Sequence, residues 1–194
     1  MIKALYTEKK AKTMLIDKNE SCLLIIDVQE RLVPVMAEPR KVIDGCARLI
    51  RGAGLLNIPV IVTEQYPKGL GETIFDVREA ASKDSFFAKT SFSAVSEPGF
   101  LDRLNALSKK QVVLAGVEAH VCVFQTGVEL MENGFDVFFV ADASSSRTAE
   151  NEKTARRRFS AEGIPVVSIE MVLFEWLRKS GTPEFKEIQK HLIR

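Results

Sequence analysis

Strand-length apolar runs alternate along the whole chain with longer segments of helical period, and this alternation constrains the fold most. The runs are "CLLIID" (22–27), "PVIVTEQ" (59–65), "QVVLAGV" (111–117), "DVFFVAD" (136–142) and "PVVSI" (165–169). Each is rich in β-branched residues and too short for a buried helix. Between them, "PRKVIDGCARLIRGAGLLN" (39–57) repeats Val42, Ile43, Cys46, Leu49, Ile50 and Ala53 at three- and four-residue steps, which draws one helix face. Further helices are expected over 100–108, 119–134, 148–163 and 171–179, and a last amphipathic one over 183–193 that docks on the body or on another subunit. Asn133-Gly134 and Gly163 are C-terminal stops.

Strands that alternate with helices require right-handed crossovers, and so a parallel sheet covered on both faces. The near-continuous apolar runs fit that two-sided burial. The expected fold is a three-layer α/β/α sandwich with a mainly parallel, Rossmann-like sheet. The 194 residues suit one domain, with 1–17 as a lead-in arm and 183–194 as a C-terminal helix. Ligands in such folds bind beyond the carboxyl ends of the strands, so polar residues there carry the interest.

Bulk properties exclude several classes. Lys plus Arg number 27 against 26 Asp plus Glu, which gives nucleic acid no electrostatic purchase. The basic stretch "KTARRRF" (153–159) is flanked by Glu150, Glu152 and Glu162 and reads as a solvated helix face or a subunit contact. No run reaches bilayer length, so no membrane partner is expected. The first fifteen residues lack a secretory pattern. Three widely spaced cysteines make no disulfide framework, and a reducing cytoplasm is the expected location. Only His120 and His191 are available as imidazole ligands, so no metal site and no cofactor are expected.

Three residues stand at the strand ends. Asp27 closes "CLLIID", Lys89 lies in "FFAKTSFS" after Phe86-Phe87, and Cys122 follows the turn after "QVVLAGV". A carboxylate on a buried strand is costly unless paired, and Lys89 is a plausible partner. Taken alone, Asp27 fits a helix cap or structural ion pair equally well, and Lys89 reads as a surface loop lysine. Free cysteines are usually small core hydrophobes, and Cys22 and Cys46 fit that use. Cys122 instead falls in the first turn of a helix at the carboxyl edge, where unsatisfied N–H groups stabilise a thiolate. His120 sits two residues away, on another helix face, and is a poor base for it. Asp27 is left as proton acceptor, in a Cys–Asp–Lys constellation.

In that order and spacing, "LLIIDVQ" (23–29), "KTSFSAV" (89–95) and "GVEAHVCV" (116–123) resemble the isochorismatase-like cysteine hydrolases. "VTEQYPKGLGET" (62–73) and "VADASSSR" (140–147) are similar to the branch called isochorismatase domain-containing proteins. The likeness spans about residues 18–190. It implies that Cys122 attacks an sp² carbon, usually an amide carbonyl, while Asp27 takes the thiol proton and passes it to the leaving amine. Lys89 would lower the thiolate pKa and hold Asp27 ionised. A non-proline cis peptide at Val117–Glu118 is implied, turning the N–H groups of Glu118 and Cys122 into an oxyanion hole.

Two departures from the family pattern matter. The stretch "TEQYPKGLG" has no histidine where nicotinamidases of the family bind metal, and relatives often carry threonine where this chain has Ala119. The cysteine argues for acyl chemistry over the vinyl ether cleavage of authentic isochorismatases, which stays an alternative, as does a non-catalytic scaffold. For the substrate pocket, Gln29 orients substrate or ties down a loop. Gln65 and Tyr66 line the mouth or form a plain turn, with Gly69 and Gly71 allowing movement. Phe92 packs on substrate or on a neighbouring subunit. "DASSSR" (142–147) caps the next helix and places Arg147 in an ion pair. The expected partners are a small-molecule substrate and further copies of the chain, as a dimer or a higher homo-oligomer.

Overall fold

The computed structural model describes residues 15–193, so most of the N-terminal arm and Arg194 lie outside the described residues. Six strands form one wholly parallel sheet: β1 (Ser21–Ile26), β2 (Val60–Gln65), β3 (Phe86–Lys89), β4 (Gln111–Gly116), β5 (Asp136–Ser144) and β6 (Val166–Val167). Their spatial order is β3-β2-β1-β4-β5-β6. The first strand lies at the centre, the next two run out to one edge, and the last three build the other half. The reversal point lies between the carboxyl ends of β1 and β4, where two outgoing connections diverge and leave a crevice.

Alternation along β1 assigns the two cores. Leu23 and Ile25 face one helical layer, made of α1 (Pro39–Leu55), α3 (Phe75–Ala80), α7 (Ile169–Leu177) and α8 (Pro183–His191). Cys22, Leu24 and Ile26 face the other, made of α4 (Phe100–Ala106), α5 (Phe124–Glu132) and α6 (Ala149–Ala161). A short helix, α2 (Pro67–Leu70), follows β2. The two central strands β1 and β4 are buried at every position, as continuous apolar runs require. The docking expected of the C-terminal helix takes place on the body: Ile188 of α8 is fully buried, and Arg48 donates to the Leu192 carbonyl. Among the described residues no helix is long and apolar enough to cross a membrane.

Several elements depart from the sequence expectation. The segment before "KTSFS" is a sixth strand, β3, so Lys89 is a strand-end residue rather than part of a loop. Its four residues alternate too little to signal a strand. The expected helix over 119–134 opens with a π-helical turn, Ala119–Val123, in which the Val123 N–H reaches back five residues to the Glu118 carbonyl. The cap of α6 is Thr148, whose side chain accepts from the Asn151 N–H, and not a residue of "DASSSR". Those serines are buried instead.

Candidate active site

Gly116 lets the crevice form. Its φ is +120°, and a Cβ there would lie 2.2 Å from the Ile26 carbonyl oxygen. Only glycine permits β4 to end this close to β1. At the end of β1, Asp27 takes a positive φ of 53°, rare for a non-glycine residue. Its N–H donates to the Thr63 carbonyl on β2.

The Asp27 carboxylate is completely buried and fully engaged. It accepts from Thr63 Oγ1 at 2.6 Å and from Lys89 Nζ at 2.7 Å, and the Cys122 thiol lies close enough to influence its ionisation. Lys89 crosses beneath β2 to reach it, with its side chain fully buried. The ammonium also donates to Gln65 Oε1 at 2.6 Å and to the carbonyls of Ser91 and Phe92, both at 3.1 Å. Every proton of the lysine is therefore spoken for, which fixes its position. Asp27 and Lys89 thus meet in one buried place, with Cys122 beside them.

Burial decides the resting protonation. It pushes the Asp27 carboxyl above its usual value, against the pull of Lys89 and the hydroxyl of Thr63. Burial pushes the Cys122 thiol up to about 12, with the adjacent Asp27 charge adding to the rise and Lys89 opposing it. The expectation of a thiolate stabilised by Lys89 and a helix end is corrected here. Desolvation and the neighbouring Asp27 charge outweigh the pull of Lys89, so the resting sulfur is a thiol.

Cys122 is 8% exposed, whereas Cys22 and Cys46 are sealed in the two cores. The Val117–Glu118 peptide is cis. Among the described residues no acceptor takes the Glu118 N–H, while those of Val117 and Ala119 go to the carbonyls of Ile26 and Ser145. His120 turns away from the thiol: its Nδ1 lies 2.9 Å from Ser146 Oγ. Arg147 pairs with Glu118 at 3.1 Å.

The residues assigned to the pocket divide. Gln29 is fully buried, and its amide donates to the carbonyls of Gln65 and Gly71 and accepts from the Gln65 N–H. It ties the loop after β2 to β1 rather than lining a pocket. Gln65 likewise turns inward, accepting from Lys89 and donating to the Thr90 carbonyl. Tyr66 and Phe92 are the open ones, 55% and 59% exposed. Tyr66 lines a surface depression of about 330 Å3 with Lys68, Thr90 and Glu97. Gly69 and Gly71 belong to a hydrogen-bonded turn around α2, with the Gly71 N–H donating to the Pro67 carbonyl.

Sequence reasoning missed Thr63 and the three serines. Thr63 sits inside an apolar strand, where a lone hydroxyl must find a buried acceptor, and that was its only signal. Ser144, Ser145 and Ser146 are all buried against the turn that carries Cys122. Consecutive serines look the same in a surface cap. Among the described residues no group of three His, Cys, Asp or Glu side chains is arranged to hold a metal.

Residues 21–171 match the family model for the isochorismatase domain, a span that includes all three of these side chains. The chain belongs to the isochorismatase family. Isochorismatase domain-containing protein 2 of Danio rerio is 38% identical over 172 residues, 89% of this chain and 86% of that one. The structure of the MAR1 ribonuclease from Caenorhabditis elegans superposes with a TM-score of 0.87 at 36% identity, covering 93% of each chain. The YcaC gene product of Escherichia coli, described as an octameric hydrolase of unknown specificity, gives 0.87 at 26% identity over 93% and 91%. The isochorismatase fold, with its parallel six-stranded sheet and helices on both sides, is therefore shared with solved relatives.

Proposed function

We propose that the protein is a hydrolase of small amides or related C–N compounds, acting through a thioester on Cys122. The observation that carries this reading is the buried Asp27 carboxylate, held by Lys89 at 2.7 Å, with the Cys122 thiol close enough for the two groups to shift each other's ionisation. Releasing a proton from this thiol to solvent is opposed by burial, which leaves a net charge behind. Passing it to Asp27 is different. Before transfer the pocket holds a carboxylate, an ammonium and a neutral thiol. Afterwards it holds a neutral acid, an ammonium and a thiolate. The total charge is unchanged, and Lys89 stabilises the anion on either side of the transfer.

As the proton passes to Asp27, the sulfur forms a bond to the carbonyl carbon. The negative charge that develops on oxygen is met by the N–H groups of Glu118 and Cys122. Asp27 then returns the proton to the leaving nitrogen as the C–N bond breaks, giving a thioester and a free amine. Water completes the cycle: Asp27 takes its proton, the hydroxyl adds to the acyl carbon, and the thiol is restored as the acid leaves. The octameric relative and the exposed rings of Tyr66 and Phe92 support assembly of this chain into a homo-oligomer.

The relative named a ribonuclease offers a second reading, phosphodiester cleavage. The recessed sulfur and a formal charge of +1 favour a small substrate over a polyanion. Incubating the protein with a library of small amides and reading intact mass separates these. The amide reading requires an acyl adduct on Cys122 that is absent from Cys122→Ala. RNA turnover that survives Cys122→Ala, with no adduct from any amide, would sink it.

A further inference from the structure

Three consecutive serines grip the nucleophile turn, one residue each. Ser144 Oγ accepts from the Gly116 N–H at 3.2 Å, the Ser145 carbonyl accepts from the Ala119 N–H at 2.8 Å, and Ser146 Oγ meets His120 Nδ1 at 2.9 Å. The middle serine is itself held. Its Oγ donates to Glu152 Oε2 at 3.2 Å, and Glu152 is a buried carboxylate with no part in the chemistry above. The other oxygen of Glu152 accepts from Lys41 Nζ at 3.0 Å and from Arg156 Nη2 at 2.5 Å. Lys41 belongs to the first turn of α1 and Arg156 to α6. A third strap completes the frame, the Ala37 N–H donating to the Ser146 carbonyl at 2.9 Å.

A buried carboxylate between two cations contributes little net stability, because desolvation offsets the attraction, and an apolar side chain at the same place packs as well. What the charge adds is direction. It joins α1, α6 and the end of β5 at one point directly behind the first residue of the turn that presents Cys122. The sulfur must meet both Asp27 and the substrate carbon, and a displacement of the order of 1 Å in such an arrangement costs about 100-fold in rate. We propose that Glu152 is a positioning residue, which through Ser145 fixes the turn that aims Cys122. This rests on the reading of Cys122 as the nucleophile.

The test compares wild type with Glu152→Ala, Glu152→Gln, Ser145→Ala and the double variant Glu152→Ala/Ser145→Ala. Iodoacetamide labelling of Cys122, followed by peptide mass spectrometry, gives a rate. Amide hydrogen exchange at Ala119 gives a readout independent of reactivity. Glu152→Ala and Ser145→Ala are expected to slow labelling about 10- to 100-fold and to speed Ala119 exchange, with the far-UV spectrum unchanged. Glu152→Gln restores most of the rate, since its amide oxygen still accepts from Ser145. The double variant is no slower than the slower single one, because both act on one path.

A folded Glu152→Ala protein with wild-type labelling and wild-type Ala119 exchange would overturn the proposal. So would additive effects in the double variant. Should Glu152→Ala fail to fold, Ser145→Ala, which deletes one oxygen, carries the test alone. A wild-type Cys122 that labels no faster than Cys22 sinks the nucleophile reading instead, and Ala119 exchange still decides whether Glu152 holds the turn.

Discussion

Cys22 and Cys122 belong to the same apolar layer, near opposite ends of the sheet, and burial pushes both thiols up to about 12. Judged by ionisation alone they are equals. They differ in what stands beside them. Cys22, at the amino end of β1, is fully buried among aliphatic side chains. Cys122, at the carboxyl edge, keeps 8% exposure and stands beside a carboxylate with its own buried cation. A raised pKa therefore does not separate an inert thiol from a reactive one. On the proposed reading, what separates them is a carboxylate beside the sulfur to take its proton, which Cys122 has in Asp27.

The most severe way to break this contrast is Cys122→Ala. Hydrolysis and adduct formation are expected to fall by at least about 1,000-fold, while Cys22→Ala leaves both unchanged. Activity assays with intact-mass readout check it. Asp27→Asn comes next, removing the acceptor and leaving the sulfur, with an expected loss of about 100- to 10,000-fold.

The pH profile of Cys122 labelling sharpens the same point. In wild type the rate rises as Asp27 ionises, at a pH above the ordinary carboxylate value because burial raises it, and levels off once Asp27 is ionised. In Asp27→Asn that step vanishes, and the remaining rate follows only the thiol's own ionisation, which burial still raises but the Asp27 charge no longer does. Identical profiles for the two proteins would show that Asp27 is not the acceptor.

Lys89→Met tests the cation and reads out as stability. It leaves a buried carboxylate unpaired, at a cost of about 3–5 kcal/mol at neutral pH. Without the ammonium the folded-state pKa of Asp27 moves further above its unfolded value. Stability is then retained at acid pH, where the group is protonated, and lost as pH rises through the folded pKa. Urea melts at pH 5 and pH 8 measure this, and an equal loss at both would contradict it. The smallest effect is expected of Phe92→Ala. With 59% of the residue exposed, folding stability shifts by less than about 0.5 kcal/mol. Sedimentation decides whether the ring sits at a contact between copies, where its loss lowers the assembly state.

The layer order was legible from residues 22–27, 59–65, 111–117, 136–142 and 165–169, because a strand buried on both faces must be apolar at every position. The edge strand β3 was not. Its four residues, Phe86–Lys89, carry no period long enough to read, and the backbone pairing with β2 defines it. Asp27 was legible as the polar end of such a run and Cys122 as part of the helix opening after another, whereas Lys89 carried no such signal because its strand did not. The part played by Gln29 and Gln65 was not, because an amide that ties a loop and an amide that orients a substrate look alike in one dimension.

By itself the sequence determined the class of fold, the two core cysteines and the candidate side chains worth pairing, since these follow from local period and from the cost of burying charge. The tertiary structure alone decided the burial that raises the Cys122 thiol, the saturation of Lys89 and the frame behind the turn from Ser144 to Glu152. Those depend on distances of about 3 Å between residues as far apart in the chain as Lys41 and Glu152, and electrostatic and hydrogen-bond energies in a water-poor interior are set at that range.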